Sequence, residues 1–403
     1  MSLFRNLARK KSDPPLGVSA DAPSLLRIAI LGGGPIGLEA ALQAKQAGFS
    51  VILFEKGEPG ENIGRWGHVR MFTPFGMNST PLGRATIAKE HPNHPLPEEN
   101  ELLSGREFRD VYLTPLTLCS AIVETIRSKT TVVRIGRSGL LKTDPADDPR
   151  RRQSPFRLLV RDDKGAERIE QADVIFDCTG TFGNRSGLAD GGIPAIGESA
   201  SEKSIPSGIE DILGQKKGHY SNKSVLVIGG GYSAATTVCA LADLAQEAPT
   251  TWTIWLTRGT RSTPLSRNPQ DPLKEREKLA AKANNLAARR DGNVEFHSQA
   301  FIQEVTSHGP DKGFRVVAVV AGKSMQWEVD RVIANIGYVP DLTLCSELHV
   351  HEPQESQILT GEPNYFLLGS KSYGRHSQFL LQEGYQQVQK AVEHVKKLKV
   401  HIG

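Results

Sequence analysis

Short apolar runs, each ending abruptly in small or turn-forming residues, set the pattern of this chain. Arg27-Ile28-Ala29-Ile30-Leu31 is the first, apolar without alternation after Arg27, as expected of a strand buried on both faces of a parallel sheet. Gly32-Gly33-Gly34-Pro35-Ile36-Gly37 follows at once, and Leu38 to Ala47 then reads as a helix. Val51-Ile52-Leu53-Phe54 makes a second strand that stops at Glu55. The same pattern recurs far along the chain. Ser224-Val225-Leu226-Val227-Ile228 runs into Gly229-Gly230-Gly231-Tyr232-Ser233-Ala234, a helix through about Leu241, and the strand Trp252-Thr253-Ile254-Trp255-Leu256. Further strands are expected at Asp173 to Asp177, Arg331 to Ile336 and Asn364 to Leu368. The chain closes with an amphipathic helix carrying Tyr385, Val388, Ala391, Val392, Val395 and Leu398 at helical spacing, a stripe suited to core packing.

Strand, glycine loop, helix, strand and acid, in that order, make a βαβ unit that binds a dinucleotide. Gly32 allows the tight turn, Gly34 lets the backbone approach a pyrophosphate, and Gly37 lets helix pack on strand. From Pro35 onward the helix N-terminus offers N–H groups and a positive dipole to phosphate. Glu55 sits where a carboxylate accepts hydrogen bonds from ribose hydroxyls, and Lys56 beside it is assigned to the same site. In the second unit Gly229 and Gly231 repeat the first two glycines, Ser233 follows, and Ala234 takes the third small position. Its second strand ends in Thr257-Arg258-Gly259-Thr260-Arg261, with no carboxylate. An acid there would repel a 2′-phosphate, whereas a guanidinium can grip it with paired charge-assisted hydrogen bonds. Arg258 and Arg261 therefore point to NADPH over NADH; the alternative is that they are solvated surface charges.

Composition narrows the partners. A chain of 403 residues, 38% hydrophobic and 23% charged, can form two domains with their own cores. A net charge of +4 is mild, so nucleic acid is not an expected partner. No apolar run is long enough to span a bilayer. Met1 to Lys11 is basic and polar without a signal-like apolar stretch, so a cytoplasmic location is expected. Residues 1–24 read as a loose tail, broken at Asp13-Pro14-Pro15 and Asp21-Ala22-Pro23. Cys119, Cys178, Cys239 and Cys345 lie far apart with no Cys-x-x-Cys pair, which removes the signature of a dithiol redox centre or zinc knuckle. His91-Pro92-Asn93-His94-Pro95 reads as a polar surface loop, because its prolines forbid a shared helix face; no metal site is expected.

Over residues 25 to 395 the order of segments resembles the flavoproteins with two dinucleotide-binding domains: flavin-containing monooxygenases, N-hydroxylating monooxygenases and the thioredoxin-reductase group. The resemblance implies an α/β fold of two Rossmann-like domains. An FAD domain of residues 25–220 and 326–403 would carry an inserted NAD(P)H domain at 221–325, with FAD on the first glycine loop and NADPH on the second. It further implies that Thr179-Gly180 lies near FAD or the domain crossing and that Gly369 approaches the flavin end. The helix beginning near Gln378 would cap the isoalloxazine. The loop from Asn62 to Asn78 would form the flavin face, with Trp66 and Phe72 as apolar walls. Arg65 would steady negative charge on reduced flavin or peroxide, and Asn78 would hydrogen-bond the hydroperoxide or NADP. His376 would be an acid–base group or substrate contact, or equally a structural residue at the start of the following helix, with Ser377 as its cap. Two features depart from the family. Its usual Gly-Asp near the C-terminus is Gly369-Ser370 here. The monooxygenase pattern Phe-x-Gly-x-x-x-His is approached only by Ile212-Leu213-Gly214 with His219, one residue too far along.

The expected function is an NADPH-dependent monooxygenase acting with dioxygen on a nitrogen or sulfur of a small molecule through a flavin C4a-hydroperoxide. The alternatives are a reductase passing electrons to a protein or quinone, and a non-catalytic flavin-binding sensor.

Overall fold

Arg27–Leu31 occupies the centre of a five-stranded sheet in the computed structural model, which describes residues 25–289, 292–354 and 356–400. The expected tail, residues 1–24, lies outside the described residues. The strand order is Tyr365–Leu367, Val174–Asp177, Arg27–Leu31, Ser50–Phe54, Ile126–Arg127, and every pairing is parallel. Covering both faces explains why the central strands read as continuous apolar runs. On one face, helix Pro35–Gln46 and the C-terminal helix Leu381–Val400 share a core of Ile28, Leu38, Leu42, Phe366, Val388 and Val395. On the other, an antiparallel meander of Thr130–Arg137, Phe156–Asp162 and Glu167–Ala172 inserts Phe156, Leu158 and Val160 against Ala29 and Leu31. Alternate residues of that middle strand, Arg157 and Arg161, are exposed, the period-two signature of a half-buried strand.

The second sheet is also all parallel, ordered Val294–His297, Trp252–Leu256, Ser224–Ile228, Arg331–Ala334. Helices Tyr232–Leu244 and Lys274–Ala288 cover one face with Val238, Leu241, Ala280 and Ala283. A second antiparallel meander, Ala300–Ser307, Phe314–Val320 and Lys323–Val329, covers the other through Val305, Val316 and Ala318. Two parallel α/β sheets in one chain are the expected fold class.

Both domain boundaries move. The division at residues 325 and 326 would give Arg331–Ala334 to the first unit, yet that strand pairs along its length with Val225–Ile228. Leu188, Ala195 and Ile205, also expected in the first unit, pack with Leu226 and Ile254 of the second. The change of sheet falls instead at two connectors that run side by side. Arg185 bridges Tyr338, Val339 N–H donates to Asn184 O at 2.9 Å, and the Phe182 and Tyr338 rings meet edge to face at 5.1 Å. Among the described residues no helix is long and apolar enough to cross a membrane.

Candidate cofactor-binding site

Both glycine loops leave the carboxyl end of a central strand and enter a helix without a side-chain cap, which leaves first-turn N–H groups for another acceptor. In the first loop Gly32 has φ +96°, and a Cβ there would come 2.7 Å from the Cys178 carbonyl oxygen. A Cβ on Gly37 would fall onto the carbonyl oxygen of Gly32. Gly34 differs from both: φ is −77° and a Cβ would meet nothing within 4 Å. Gly32 and Gly37 are thus fixed by the protein's own packing, while Gly34 faces open space of the kind a pyrophosphate needs. This cradle, which a side chain would fill, fits a dinucleotide.

Glu55 closes the loop from the second strand. Its Oε2 accepts the Gly33 N–H at 2.6 Å and its Oε1 the Gly57 N–H at 2.8 Å. The carboxylate is therefore oriented beside the cradle, with lone pairs left for hydroxyl donors. Lys56 is exposed, and its ammonium lies 3.9 Å from the Cβ position of Gly183, just beyond Gly180.

Two further turns converge here from distant parts of the chain. A Cβ on Gly32 would be 3.1 Å from the Thr179 Cα, so the Thr179-Gly180 turn rests on the glycine loop. Gly180, at φ +68°, faces the Ser370 hydroxyl at 3.5 Å from its Cβ position. Gly369 has φ +72°, a Cβ there would lie 3.2 Å from Ile36 on the first turn of the helix, and its N–H donates to Gln387 Oε1 at 2.8 Å. Gly32, Gly34, Gly37, Glu55, Thr179, Gly180 and Gly369 are thus brought together at the carboxyl edge of the first sheet.

Sequence reasoning missed what lies beneath these turns. Lys371 and Asp177 are fully buried and paired at 2.7 Å. Tyr365 donates its hydroxyl to the same Asp177 Oδ2 at 2.8 Å. Thr179 Oγ1 donates to Asp177 Oδ1 at 2.6 Å and accepts from Lys371 Nζ at 3.0 Å. A charged residue at the end of each of two apolar runs was the available signal, but nothing local joins the two.

The second loop repeats the first with different detail. Gly229 has φ +142°, and a Cβ there would overlap the Asn335 carbonyl oxygen. Trp255 Nε1, buried, donates to Gly229 O at 2.7 Å. Gly231 is extended at φ −100° with no atom within 4 Å of its Cβ position, matching Gly34. Ala234 is fully buried on the helix and Ser233 is exposed. Where Glu55 approaches Gly33, Thr257 approaches Gly230, its methyl 3.8 Å from the Cβ position. Arg258 follows, exposed; Arg261 is exposed and hydrogen-bonds Ser266.

Residues expected at the flavin face divide. Trp66 is half-buried against Gly105, and its indole Nε1 is buried without a hydrogen-bond partner. Phe72 reaches across to Tyr232 of the second glycine loop at 5.8 Å between ring centroids, so this loop does approach the second unit. Arg65 lies on the exposed side of the short helix Glu61–Arg65, paired with Glu61 at 2.8 Å. Asn78 is turned into the core. Its Oδ1 accepts from Thr73 Oγ1 at 2.8 Å, its Nδ2 donates to Thr73 O at 2.9 Å, and its carbonyl accepts from Tyr385 at 2.6 Å. Those bonds pin the loop and commit the amide that was expected to meet the cofactor. His376, Ser377 and Gln378 are exposed and precede the helix, which begins at Leu381 rather than near Gln378. Ser377 does not cap it; the Leu380 N–H donates to Glu383 Oε2 at 2.9 Å instead.

Two parallel sheets, each with a glycine loop and an open cradle, define a two-nucleotide oxidoreductase. Models of pyridine nucleotide-disulphide oxidoreductases match residues 29–135 and, in a longer form, residues 87–394. The chain belongs to the pyridine nucleotide-disulphide oxidoreductase family. FAD and a pyridine nucleotide are that family's cofactors. Among solved structures, bacillithiol disulfide reductase from Bacillus cereus is similar at 20% identity and TM-score 0.63, over 92% of this chain and 99% of that one. Ornithine N-hydroxylase from Kutzneria sp. 744 is similar at 16% identity and TM-score 0.58, over 94% of this chain and 100% of that one. The cadaverine monooxygenase from Erwinia amylovora is similar at 13% identity and TM-score 0.62, over 91% and 94%. At these identities the likeness is one of fold. No curated protein sequence matches the chain.

Proposed function

We propose that this chain is an FAD- and NADPH-dependent monooxygenase that adds one oxygen atom of dioxygen to a nitrogen or sulfur of a small molecule. The observation that carries the reading is the state of its thiols. All four cysteines are buried and unpaired. Burial pushes Cys119, Cys239 and Cys345 up to about 11 and holds Cys178 well above its ordinary range. None is suited to act as a thiolate, so no protein dithiol carries electrons away from the first cradle. Bound FAD supplies the two-electron step and the reactivity with dioxygen.

The chain's own residues position and shield. The loops at Gly34 and Gly231 take the two pyrophosphates, and Glu55 orients the flavin's ribose. Arg258 and Arg261 grip a 2′-phosphate. Trp66, with Phe72 against Tyr232, walls the space between the cradles and limits water there. Arg65 and His376, both exposed, are offered to an entering substrate; Asn78 is not included.

A second reading, reduction of a small-molecule disulfide, is favoured by the family description and by the bacillithiol disulfide reductase fold. Turnover with NADPH under isotopically labelled dioxygen, with amines and thioethers in one arm and low-molecular-weight disulfides in the other, separates the two. Label in the organic product supports oxygenation. Stoichiometric thiol with no label in any product overturns it in favour of disulfide reduction.

A further inference from the structure

Lys371 and Asp177 are 194 residues apart in the chain but lie just beyond and at the ends of neighbouring strands of the first sheet, and both are fully buried and meet at 2.7 Å. Burying two charges is costly in itself, and such a pair contributes little net stability over an apolar replacement. What the pair does here is organise a turn. Asp177 Oδ1 accepts both the Thr179 N–H at 3.1 Å and the Thr179 hydroxyl at 2.6 Å, and Lys371 Nζ closes the ring onto Thr179 Oγ1 at 3.0 Å. The Leu368 N–H donates to the Asp177 carbonyl at 2.9 Å, tying the strand before Gly369 to the same point. Tyr365 adds its hydroxyl to Asp177 Oδ2, and Cys178, Cys345 and Asp341 are further titratable groups near the pair. The consequence is a fixed spacing between the Thr179-Gly180 and Gly369-Ser370 turns, which face each other so that a Cβ on Gly180 would lie 3.5 Å from the Ser370 hydroxyl.

We propose that Lys371 is a positioning residue for FAD. Through Asp177 and Thr179 it holds these two turns in the register the flavin half of the dinucleotide requires. It acts where the usual acid after Gly369 is replaced by serine. This rests on the assignment of FAD to the first cradle. It adds that a cation one residue beyond the serine, working through a partner from another strand, maintains that spacing.

The test separates spacing from fold. The double variant Asp177→Asn/Lys371→Met removes both charges at nearly constant volume, so the apoprotein is expected to retain its circular dichroism and melting temperature. Its dissociation constant for FAD, by titration of flavin fluorescence, is expected to rise about tenfold or more, with a shifted midpoint potential in the bound flavin. Thr179→Val leaves the ion pair in place and breaks the same ring, so it serves if the double variant does not fold. The same loss of affinity is expected from it with an unchanged apoprotein melt. Wild-type FAD affinity and potential in a folded double variant, or in Thr179→Val, overturns the inference. Failure of the unmodified chain to take up FAD at all would instead remove the cofactor assignment on which it rests.

Discussion

Glu55 and Gly33 are joined by a 2.6 Å hydrogen bond from the glycine N–H to Oε2, which fixes the carboxylate against the first glycine loop before any ligand arrives. The same carboxylate accepts the Gly57 N–H at 2.8 Å. Both oxygens must therefore be acceptors. Glu55→Gln would aim an amide N–H₂ at one backbone donor and misalign the loop. FAD affinity is expected to fall about tenfold, since a charge-assisted bond is worth roughly 1.5–3 kcal/mol. Fluorescence titration of the apoprotein checks this; unchanged affinity would detach Glu55 from the flavin site.

Gly34 and Gly37 predict opposite outcomes for the same substitution. Gly34→Ala places a methyl in open space, so the apoprotein should melt within about 2 °C of wild type. Its FAD should nevertheless be lost, because that space is the cradle. Gly37→Ala drives a methyl into the Gly32 carbonyl and should destabilise the apoprotein by about 1–3 kcal/mol. Thermal melts and bound-flavin absorbance of the two proteins decide it. Stoichiometric FAD in Gly34→Ala is the adverse result.

Arg258 follows Thr257, the residue that replaces the acid of the first unit, and is exposed. Arg258→Ala is expected to raise KM for NADPH by about 10- to 100-fold and to leave KM for NADH nearly unchanged. Steady-state flavin reduction with each coenzyme measures both. Equal losses for the two would show that the guanidinium does not read the phosphate.

Glu39 gives a pH dependence. It lies inside the helix after the first glycine loop, buried, and accepts hydrogen bonds from Gln43 at 2.7 Å and Thr80 at 2.9 Å. Burial raises its pKa, opposed by those two bonds. Tyr112, which hydrogen-bonds Thr80, is pushed by the same burial to about 12 and carries no countercharge. A carboxyl raised in the folded state stabilises the fold below its unfolded value of about 4.3, and that contribution is lost as pH rises through the folded value. Glu39→Gln removes the titration. Its stability relative to wild type should increase from about pH 4 upward, and urea denaturation across that range follows the difference. A constant difference would mean that Glu39 ionises over the same pH range folded and unfolded, so that burial does not raise its pKa.

The sequence by itself determined the two strand–glycine loop–helix–strand units. Their signals are local: a strand without alternation, glycines at fixed offsets, a helix and the residue ending the next strand. Gly32, Gly34, Gly37 and Glu55, and again Gly229, Gly231 and Ala234, occupy the places their spacing required, because backbone sterics and strand pairing act over a few residues. Only the tertiary structure decided the rest. Lys371 and Asp177 are 194 residues apart in the chain, and no periodicity carries information over that distance. Asn78 turned inward onto Thr73 of its own loop and under Tyr385, a partner 307 residues away that the segment could not reveal. Arg331–Ala334 joined the second sheet because parallel pairing with Ser224–Ile228 buries it, while its composition suits either sheet equally. Local patterns fix what an element is; which elements meet depends on desolvation and pairing between distant segments, and that is settled only when the chain folds.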